Sequence, residues 1–299
     1  MCHNEISASF FTIGFKVHKT PLQIYKLNLL ILFLGLLPLN SIQGNVPCEI
    51  FDPNSQQTVL DRSLKQPNQF SLAPEIYRLH RFRKGGTRQH GTLCGVRAGY
   101  DFIKRYNFSF GIQAFYGRGT LRGKTSQNLS SRSHWSDEQI EAYAGYTFQT
   151  KTPLCFSFTP FGGYGYFREI NQFISPSPVK FRSTTQFDYF LYGFLSSANV
   201  TPCTKIGVNA RFRTPWDQKC KVSKDPENED TTQRIGDSFQ FRIELPVRYH
   251  TPWGCNHFEI GIMPFYEQRL YEGRIGYPEN YLRTKIIIYG IDLQLVFQF

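Results

Sequence analysis

The chain has 299 residues, of which 40% are hydrophobic, and it carries a formal net charge of +11 together with 28 Phe and 17 Tyr. This length allows one or two domains, or one large β-barrel. Only one apolar run is long, which excludes a bundle of transmembrane helices, and the positive charge favours an anionic neighbour.

The apolar run is "LNLLILFLGLLPL", residues 27–39, and three lysines precede it. It is short for a membrane-spanning helix but has the length of the apolar part of a signal peptide. We predict a cleavable signal peptide over residues 1–44, with a buried core helix as the alternative. Export favours a lipopolysaccharide surface as the anionic neighbour and disfavours nucleic acid.

Residues 45–70 are polar and show no periodicity. They are predicted to be either a periplasmic N-terminal tail or a plug inside the barrel, and residues 71–299 to be the transmembrane β-barrel.

From about Thr92 onward the chain alternates apolar and polar residues with period two, which is typical of β-strands. The stretch "SFQFRIELPVRYH" has Phe239, Phe241 and Ile243 on one face and Arg242 and Glu244 on the other. Nine such segments are predicted, at 92–102, 108–118, 138–149, 155–168, 185–197, 204–213, 237–249, 256–269 and 284–299. A weaker tenth covers 71–82, and Pro246 predicts a bulge or an edge.

The links between these segments alternate in length. Short links such as "TKTPL" and "VTPCT" alternate with long links at about 119–137, 169–184, 214–236 and 270–283. Short turns at one end and long loops at the other are expected of a bacterial outer-membrane barrel and not of a β-sandwich.

The last predicted strand has an apolar residue at every second position and ends on an aromatic side chain. The positions are Tyr289, Ile291, Leu293, Leu295, Phe297 and Phe299. With the export signal and the alternating links, residues 70–299 resemble the bacterial outer-membrane β-barrel proteins. The resemblance implies a closed, antiparallel, up-and-down all-β barrel of about 10 strands in the outer membrane. It also implies that the last strand is read by the barrel-assembly machinery.

Charged residues in the predicted strands fall opposite the apolar face. A Lys or Arg on the lipid face at the midplane costs about 2–4 kcal/mol, so these charges are predicted to line the lumen. The predicted lumen network comprises Arg97, Asp101, Glu141, Arg211, Arg242, Glu244, Arg248, Glu259 and Asp292. Its mixed signs favour a lumen closed by ion pairs, because eight to ten strands enclose a space that side chains can fill.

The predicted function is a structural or surface-interaction role, similar to that of an adhesin. A narrow channel for small solutes is the alternative, and an omptin-like surface protease is the third hypothesis. Omptins carry paired acidic residues and an Asp-x-His pair, and neither D-x-D nor D-x-H occurs in this chain. The nearest candidates are His134, Asp137 and Glu138. We therefore expect no enzyme, no cofactor and no metal site.

The predicted outer loops are basic and polar. Their cations are predicted either to bind lipopolysaccharide phosphates or to be ordinary solvated charges. The candidate contacts are Arg81, Arg83, Lys84, Arg88, Arg118, Arg122, Lys124 and Arg132.

Six cysteines remain after the predicted cleavage site. Cys155, Cys203 and Cys255 follow the short links and are predicted to lie at the periplasmic end, near Cys48 of the tail. This arrangement resembles disulfide-linked envelope proteins, in which such cysteines cross-link neighbouring chains. Thiols that are free or paired within the chain are the alternative.

Overall fold

The computed structural model describes residues 68–299, except 105–106, 151–154, 202, 227–228, 252–257 and 276–279. These residues belong to one compact unit, Asp52–Phe299. The predicted signal peptide, most of the predicted tail, Cys48 and Cys255 lie outside the described residues. Within the described part, no helix is long and apolar enough to cross a membrane.

The described residues form thirteen β-strands in one antiparallel sheet. The strands are β1 (Asn68–Arg83), β2 (Arg88–Phe102), β3 (Asn107–Lys124), β4 (Ser130–Gln149), β5 (Ser157–Ile174), β6 (Arg182–Thr201), β7 (Thr204–Gly207), β8 (Asn209–Ser223), β9 (Thr231–Arg234), β10 (Ser238–Glu244), β11 (Val247–His250), β12 (Phe258–Tyr271) and β13 (Thr284–Gln298).

The thirteen strands make a barrel of ten strands, because two of the barrel strands are each interrupted and β9 is a short addition. β7 and β8 both pair with β6 and act as one strand interrupted at Val208. β10 and β11 both pair with β12 and act as one strand interrupted at Leu245 and Pro246, where the proline was expected to break the regular pairing. β9 adds a short pair to the end of β8. β1 pairs with both β2 and β13, so the sheet is closed. This confirms the predicted closed antiparallel barrel and its count of about ten strands.

The pairing fixes the tilt of the strands. Following paired residues once around the ring from Gln69 leads back to β1 at Arg81, a shear of twelve residues. With about 3.3 Å per residue and about 4.8 Å between strands, this shear gives a tilt of about 40°. Each residue therefore advances the chain by about 2.5 Å along the barrel axis.

The strands extend further than the sequence predicted at one end, which we call the outer end. The predicted link 119–137 contains the end of β3 and the start of β4, so that only residues 125–129 form the turn. The period-two pattern continues through these residues, but we had assigned their polar side chains to a loop. The long outer links are thus largely hairpins that project beyond the apolar belt.

The outward face of the barrel is apolar over the middle of the strands. Tyr289, Ile291, Leu293, Leu295 and Phe297 of β13 are 41–51% exposed, as expected from their alternation. Aromatic side chains flank this belt at both ends. At the outer end they are Tyr116, Tyr166, Phe190, Tyr266 and Tyr289, and at the inner end Phe108, Phe148, Phe156, Tyr249 and Phe299. An apolar band between aromatic girdles is typical of transmembrane barrels.

Candidate functional site

Twelve charged side chains meet in the lumen and form what we call the lumen lattice. The members are Glu75, Arg97, Asp137, Glu141, Glu169, Arg211, Arg213, Arg242, Glu244, Glu267, Arg269 and Asp292. Alternation brings them there, because each lies on the inward face of its strand.

Arg242 of β10 lies at the centre of the lattice. Its guanidinium contacts four carboxylates, those of Glu75 at 3.4 Å, Glu244 at 2.7 Å, Glu267 at 3.5 Å and Asp292 at 3.1 Å. Its Cζ also lies 3.7 Å from the centroid of the Phe265 ring. The side chain of Arg242 therefore ties β1, β12 and β13 to its own strand.

The ion pairs continue from Arg242 to both walls of the barrel. Towards the outer end, Glu267 binds Arg269 at 2.6 Å and Arg269 binds Asp137 of β4 at 3.0 Å. Across the lumen, Glu141 accepts hydrogen bonds from Arg211 at 3.2 Å and from Arg213 at 2.7 Å. The lattice thus spans the cross-section of the barrel.

The burial of these groups shows that the lumen is closed at this level. Every lattice residue except Glu169 and Arg97 is at most 2% exposed, and those two are 6% exposed. Charged groups that lined an aqueous pore would be accessible to water. Apolar side chains, among them Leu79, Leu93, Leu121 and Ile286, are fully buried inside the barrel and belong to one hydrophobic cluster.

All nine residues of the predicted lumen network face inward. Six of them belong to the lattice. The other three lie nearer the inner end, where Asp101 accepts a hydrogen bond from Tyr143, Arg248 donates to Gln294 at 3.0 Å, and Glu259 binds Lys205 at 2.7 Å.

The prediction missed six members of the lattice, which are Glu75, Asp137, Glu169, Arg213, Glu267 and Arg269. Asp137 and Glu169 lie just beyond the predicted segments 138–149 and 155–168. Extending the period of two by one residue in each of these strands would have found both.

The lumen opens towards the inner end into a polar cavity of about 160 Å³. Its lining includes Arg97, Arg211 and Glu244 of the lattice, which close its deep end, and Asp101 and Arg248 nearer the mouth. The cavity is therefore a vestibule that ends at the lattice.

The predicted anionic-lipid contacts separate into two groups. Arg81 was wrongly predicted to be a surface contact. It is 7% exposed and donates a hydrogen bond to Gln89 at 3.1 Å inside the projecting hairpins. Arg83 lies on the same inward face of β1 and is half-buried, so it also leaves the set. Inward alternation continues to the end of β1, which explains both corrections.

The remaining predicted cations are exposed, and with Arg78 they form what we call the basic wall. Its members are Arg78, Lys84, Arg88, Arg118, Arg122, Lys124 and Arg132. Lys124 is paired in register with Arg88, and Arg122 with both His90 and Arg132. No ion pair joins these seven side chains to an acidic residue within the described part of the chain. Arg78 was missed, although it follows the alternation of β1.

The candidate pair of His134 and Asp137 in "SHWSDE" is not assembled, and Glu138, the other candidate carboxylate, accepts a hydrogen bond from Arg168 at 3.4 Å. His134 lies outside the barrel, where its Nδ1 is 3.5 Å from the Thr120 hydroxyl. Asp137 faces inward and accepts hydrogen bonds from Trp135 at 2.9 Å and Arg269 at 3.0 Å. Odd and even positions of a strand point to opposite faces, which separates the two groups.

The described cysteines lie at both ends of the barrel. Cys155 is buried and Cys203 is half-buried at the inner end, whereas Cys94 is exposed on the outward face. Cys220 is buried in the outer extension of β8, and burial raises the pKa of its thiol. The structure has no disulfide bond between described residues, so disulfide cross-linking of neighbouring chains stays a prediction.

Comparisons with known proteins identify the fold. No protein-family model and no curated protein sequence matches this chain. The crystal structure of the outer membrane protease OmpT from Escherichia coli is similar, with a TM-score of 0.56 and 10% identity over 79% of this chain and 98% of that chain.

Two further solved structures are similar at lower TM-scores. The translocator domain of the autotransporter NalP from Neisseria meningitidis has a TM-score of 0.40 and 10% identity over 81% of this chain and 94% of that chain. The transport unit of the autotransporter AIDA-I from Escherichia coli has a TM-score of 0.41 and 11% identity over 82% of this chain and 99% of that chain. The closed antiparallel sheet and the similarity to the OmpT structure give this chain the fold of the bacterial outer-membrane β-barrel proteins.

Proposed function

We propose that this chain, whose fold is that of the bacterial outer-membrane β-barrels, is an outer-membrane protein with a structural and surface-interaction role. The single observation that carries the proposal is the lumen lattice, whose charged groups are buried and bound to one another. A barrel closed in this way serves as a scaffold for its outer hairpins. The exposed apolar belt supports residence in a membrane, since in water such a surface would be costly.

The closed lumen leads to a prediction about conductance. The purified protein, inserted into a planar lipid bilayer, is expected to give no unitary currents in symmetric salt, because the lattice crosses the path of any hydrated ion. Regular unitary currents in independent preparations would contradict the structural role. They would favour the alternative, a narrow channel that begins in the inner vestibule.

The basic wall supports contact with lipopolysaccharide. Arg118 lies two residues beyond Tyr116 of the outer girdle, about 5 Å along the barrel axis. The interfacial region of a bilayer leaflet is about 5–7 Å thick, so Arg118 reaches the level of the lipid phosphates. Arg binds phosphate with two parallel hydrogen bonds.

Charge reversal in the wall tests this contact. The variant Arg118→Glu is expected to bind purified lipopolysaccharide about tenfold more weakly than the unchanged protein, since a charge-assisted contact is lost and a like charge takes its place. The difference is expected to shrink in high salt, which screens exposed charges. The measurement is a titration of the detergent-folded protein.

The matched control is Thr120→Ala, which alters a neutral residue two positions from Arg118 on the same face of β3. It is expected to bind as the unchanged protein does. If the charge-reversed variant binds lipopolysaccharide with the same affinity and the same salt dependence as the unchanged protein, the basic wall does not bind lipopolysaccharide.

We propose that the protein is not an enzyme, and that the omptin-like protease is the weakest of the three hypotheses. The separation of His134 from Asp137, and the binding of Asp137 by Arg269, support this view. A peptide-cleavage assay with His134→Ala as control addresses it. Cleavage that this substitution abolishes would revive the protease.

Two finer parts of the proposal concern assembly. The outward row of β13, from Tyr289 to Phe299, is proposed as the segment that the barrel-assembly machinery reads. Cys155 and Cys203, with Cys48 and Cys255, are proposed to cross-link neighbouring envelope proteins. We expect disulfide-linked oligomers on non-reducing electrophoresis of isolated outer membranes. A monomer band alone would argue against cross-linking.

A further inference from the structure

A second cationic surface lies on the outer hairpins, formed by β5, β6, β8 and β9 and separate from the basic wall. It is an open cleft of about 440 Å³. The lining residues are Arg168, Arg182, Thr184, Gln186, Lys219, Lys221, Ser223 and Thr232. Half of them are cations, and the others carry hydroxyl or amide groups. We call this site the cleft.

The strand pairing explains the shape of the cleft. Thr184 and Gln186 of β6 form the floor, since their side chains are shorter than those on either side. Gln186 is paired with Arg168 on one flank and with Lys219 on the other. Long cationic side chains therefore rise on both sides of a short polar floor.

A β-bulge places the two lysines outside the barrel. Arg211 and Arg213 of β8 face the lumen, and unbroken alternation would send Lys219 and Lys221 to the same side. Instead the register with β6 shifts between Gln186 and Asp188. Asp217 there has a φ of 44°. Bulges of this kind re-aim side chains near functional sites.

The cations of the cleft keep binding capacity. The Arg168 side chain is 38% exposed, and Arg182 forms no ion pair with an acidic side chain among the described residues. Three of the four cations already form ion pairs with acidic side chains, which compete with an anionic ligand. The pairs are Arg168–Glu138 at 3.4 Å, Lys219–Asp217 at 2.6 Å and Lys221–Asp230 at 2.9 Å.

These ion pairs are 38–57% exposed, and exposed pairs contribute little to stability. A multiply charged ligand can therefore exchange with the carboxylates.

The distance of the cleft from the membrane indicates which molecules it can contact. Thr184 lies six residues beyond Phe190, the outer aromatic residue of β6, which is about 15 Å along the barrel axis. The interfacial region of the leaflet extends only about 5–7 Å beyond the hydrocarbon. The cleft is thus above the lipid phosphates, at the level of surface saccharides.

From this geometry we propose that the cleft binds an anionic saccharide, one that carries several phosphate or sulfate groups. The guanidinium groups of Arg168 and Arg182 and the ammonium groups of Lys219 and Lys221 bind the anionic groups. Thr184, Gln186 and Ser223 hydrogen-bond the sugar hydroxyls. A volume of about 440 Å³ is in the range of small-molecule sites.

The test uses the full-length protein folded in detergent and a multiply sulfated disaccharide as the probe, with affinity measured by calorimetry. The variant Arg168→Gln/Arg182→Gln is expected to bind it about tenfold more weakly, because it removes two of the four cationic groups of the cleft. The matched control Arg274→Gln/Arg283→Gln changes the charge equally in the link between β12 and β13, outside both the cleft and the basic wall, and is expected to lose less than about twofold. Heat-modifiable migration in gels verifies that each variant is folded.

Two further probes identify the source of the saccharide. They are the phosphorylated core oligosaccharide of lipopolysaccharide and the same oligosaccharide without its phosphates. Binding of the phosphorylated form alone assigns the cleft to the glycolipid of the membrane, and binding of the sulfated disaccharide alone assigns it to an external glycan. The proposal is overturned if the cleft variant binds the sulfated disaccharide as tightly as the unchanged protein does, or if an unsulfated disaccharide binds as tightly as the sulfated one. It is also overturned if no probe binds. None of these results depends on whether the lumen conducts or the wall binds lipid.

Discussion

Replacing Arg242 by alanine is expected to destabilise the folded barrel by about 3–5 kcal/mol, the range for removing one partner of a buried ion pair. The substitution leaves the carboxylates of Glu75, Glu244, Glu267 and Asp292 without the cation that joins them. Burial prevents water from replacing it, since these acids are 0–2% exposed. The measurement is urea unfolding of the protein in lipid vesicles, followed by the loss of heat-modifiable migration.

Arg168→Ala is the matched control for this experiment. Arg168 also pairs with a glutamate, but both side chains are 38–39% exposed, so the expected loss is about 0–1 kcal/mol. If the two variants unfold at the same urea concentration, the lattice does not hold the barrel together and the case for a closed scaffold fails.

Leu293→Arg is expected to cost about 2–4 kcal/mol of folding free energy in lipid, the range for a cation facing hydrocarbon at the midplane. Leu293 is 51% exposed on the outward face of β13, midway between Tyr289 and Phe299. In detergent or lipid the variant is expected to fold in lower yield and unfold at lower urea concentration.

Ile287→Arg is the control for the lipid-facing charge. It places the same side chain on the same face, about 15 Å nearer the outer end, where the cost falls to about 0–1 kcal/mol. A variant at Leu293 that is as stable as the one at Ile287 would mean that the apolar face of β13 does not meet hydrocarbon.

The outward face of each strand was predictable because burial alternates along a strand with the same period of two as the apolar and polar residues in the sequence. β13 is the clearest case, since every second residue from Tyr289 to Phe299 is apolar and faces outward. The same rule placed Arg242 and Glu244 inside. It did not decide the register of the segment at 185–197, because that segment is aromatic on both faces. There Phe187 and Tyr189 face the lumen, and Phe190 and Tyr192 face outward.

The ends of strands and the partners of charges were not predictable in the same way. Ser131 and Ser133 look like loop residues, yet they lie on the inward face of β4 and hydrogen-bond Gln89. The partners of Arg242 come from β1, β12 and β13, and only the shear of the closed ring brings these positions to one height. A one-residue bulge, as near Asp217, reverses the faces beyond it without a clear sequence signal.

The orientation of the apolar face is tested most directly by spin labels along β13. Single labels at Leu293, Gln294, Leu295 and Val296 are introduced into a cysteine-free variant folded in lipid vesicles. We predict that labels at Leu293 and Leu295 collide readily with oxygen dissolved in the bilayer, whereas labels at Gln294 and Val296 are immobilised and shielded. Oxygen access at Gln294 and Val296 with shielding at Leu293 and Leu295, or equal access of a water-soluble reagent to all four labels, would contradict an apolar face that meets lipid.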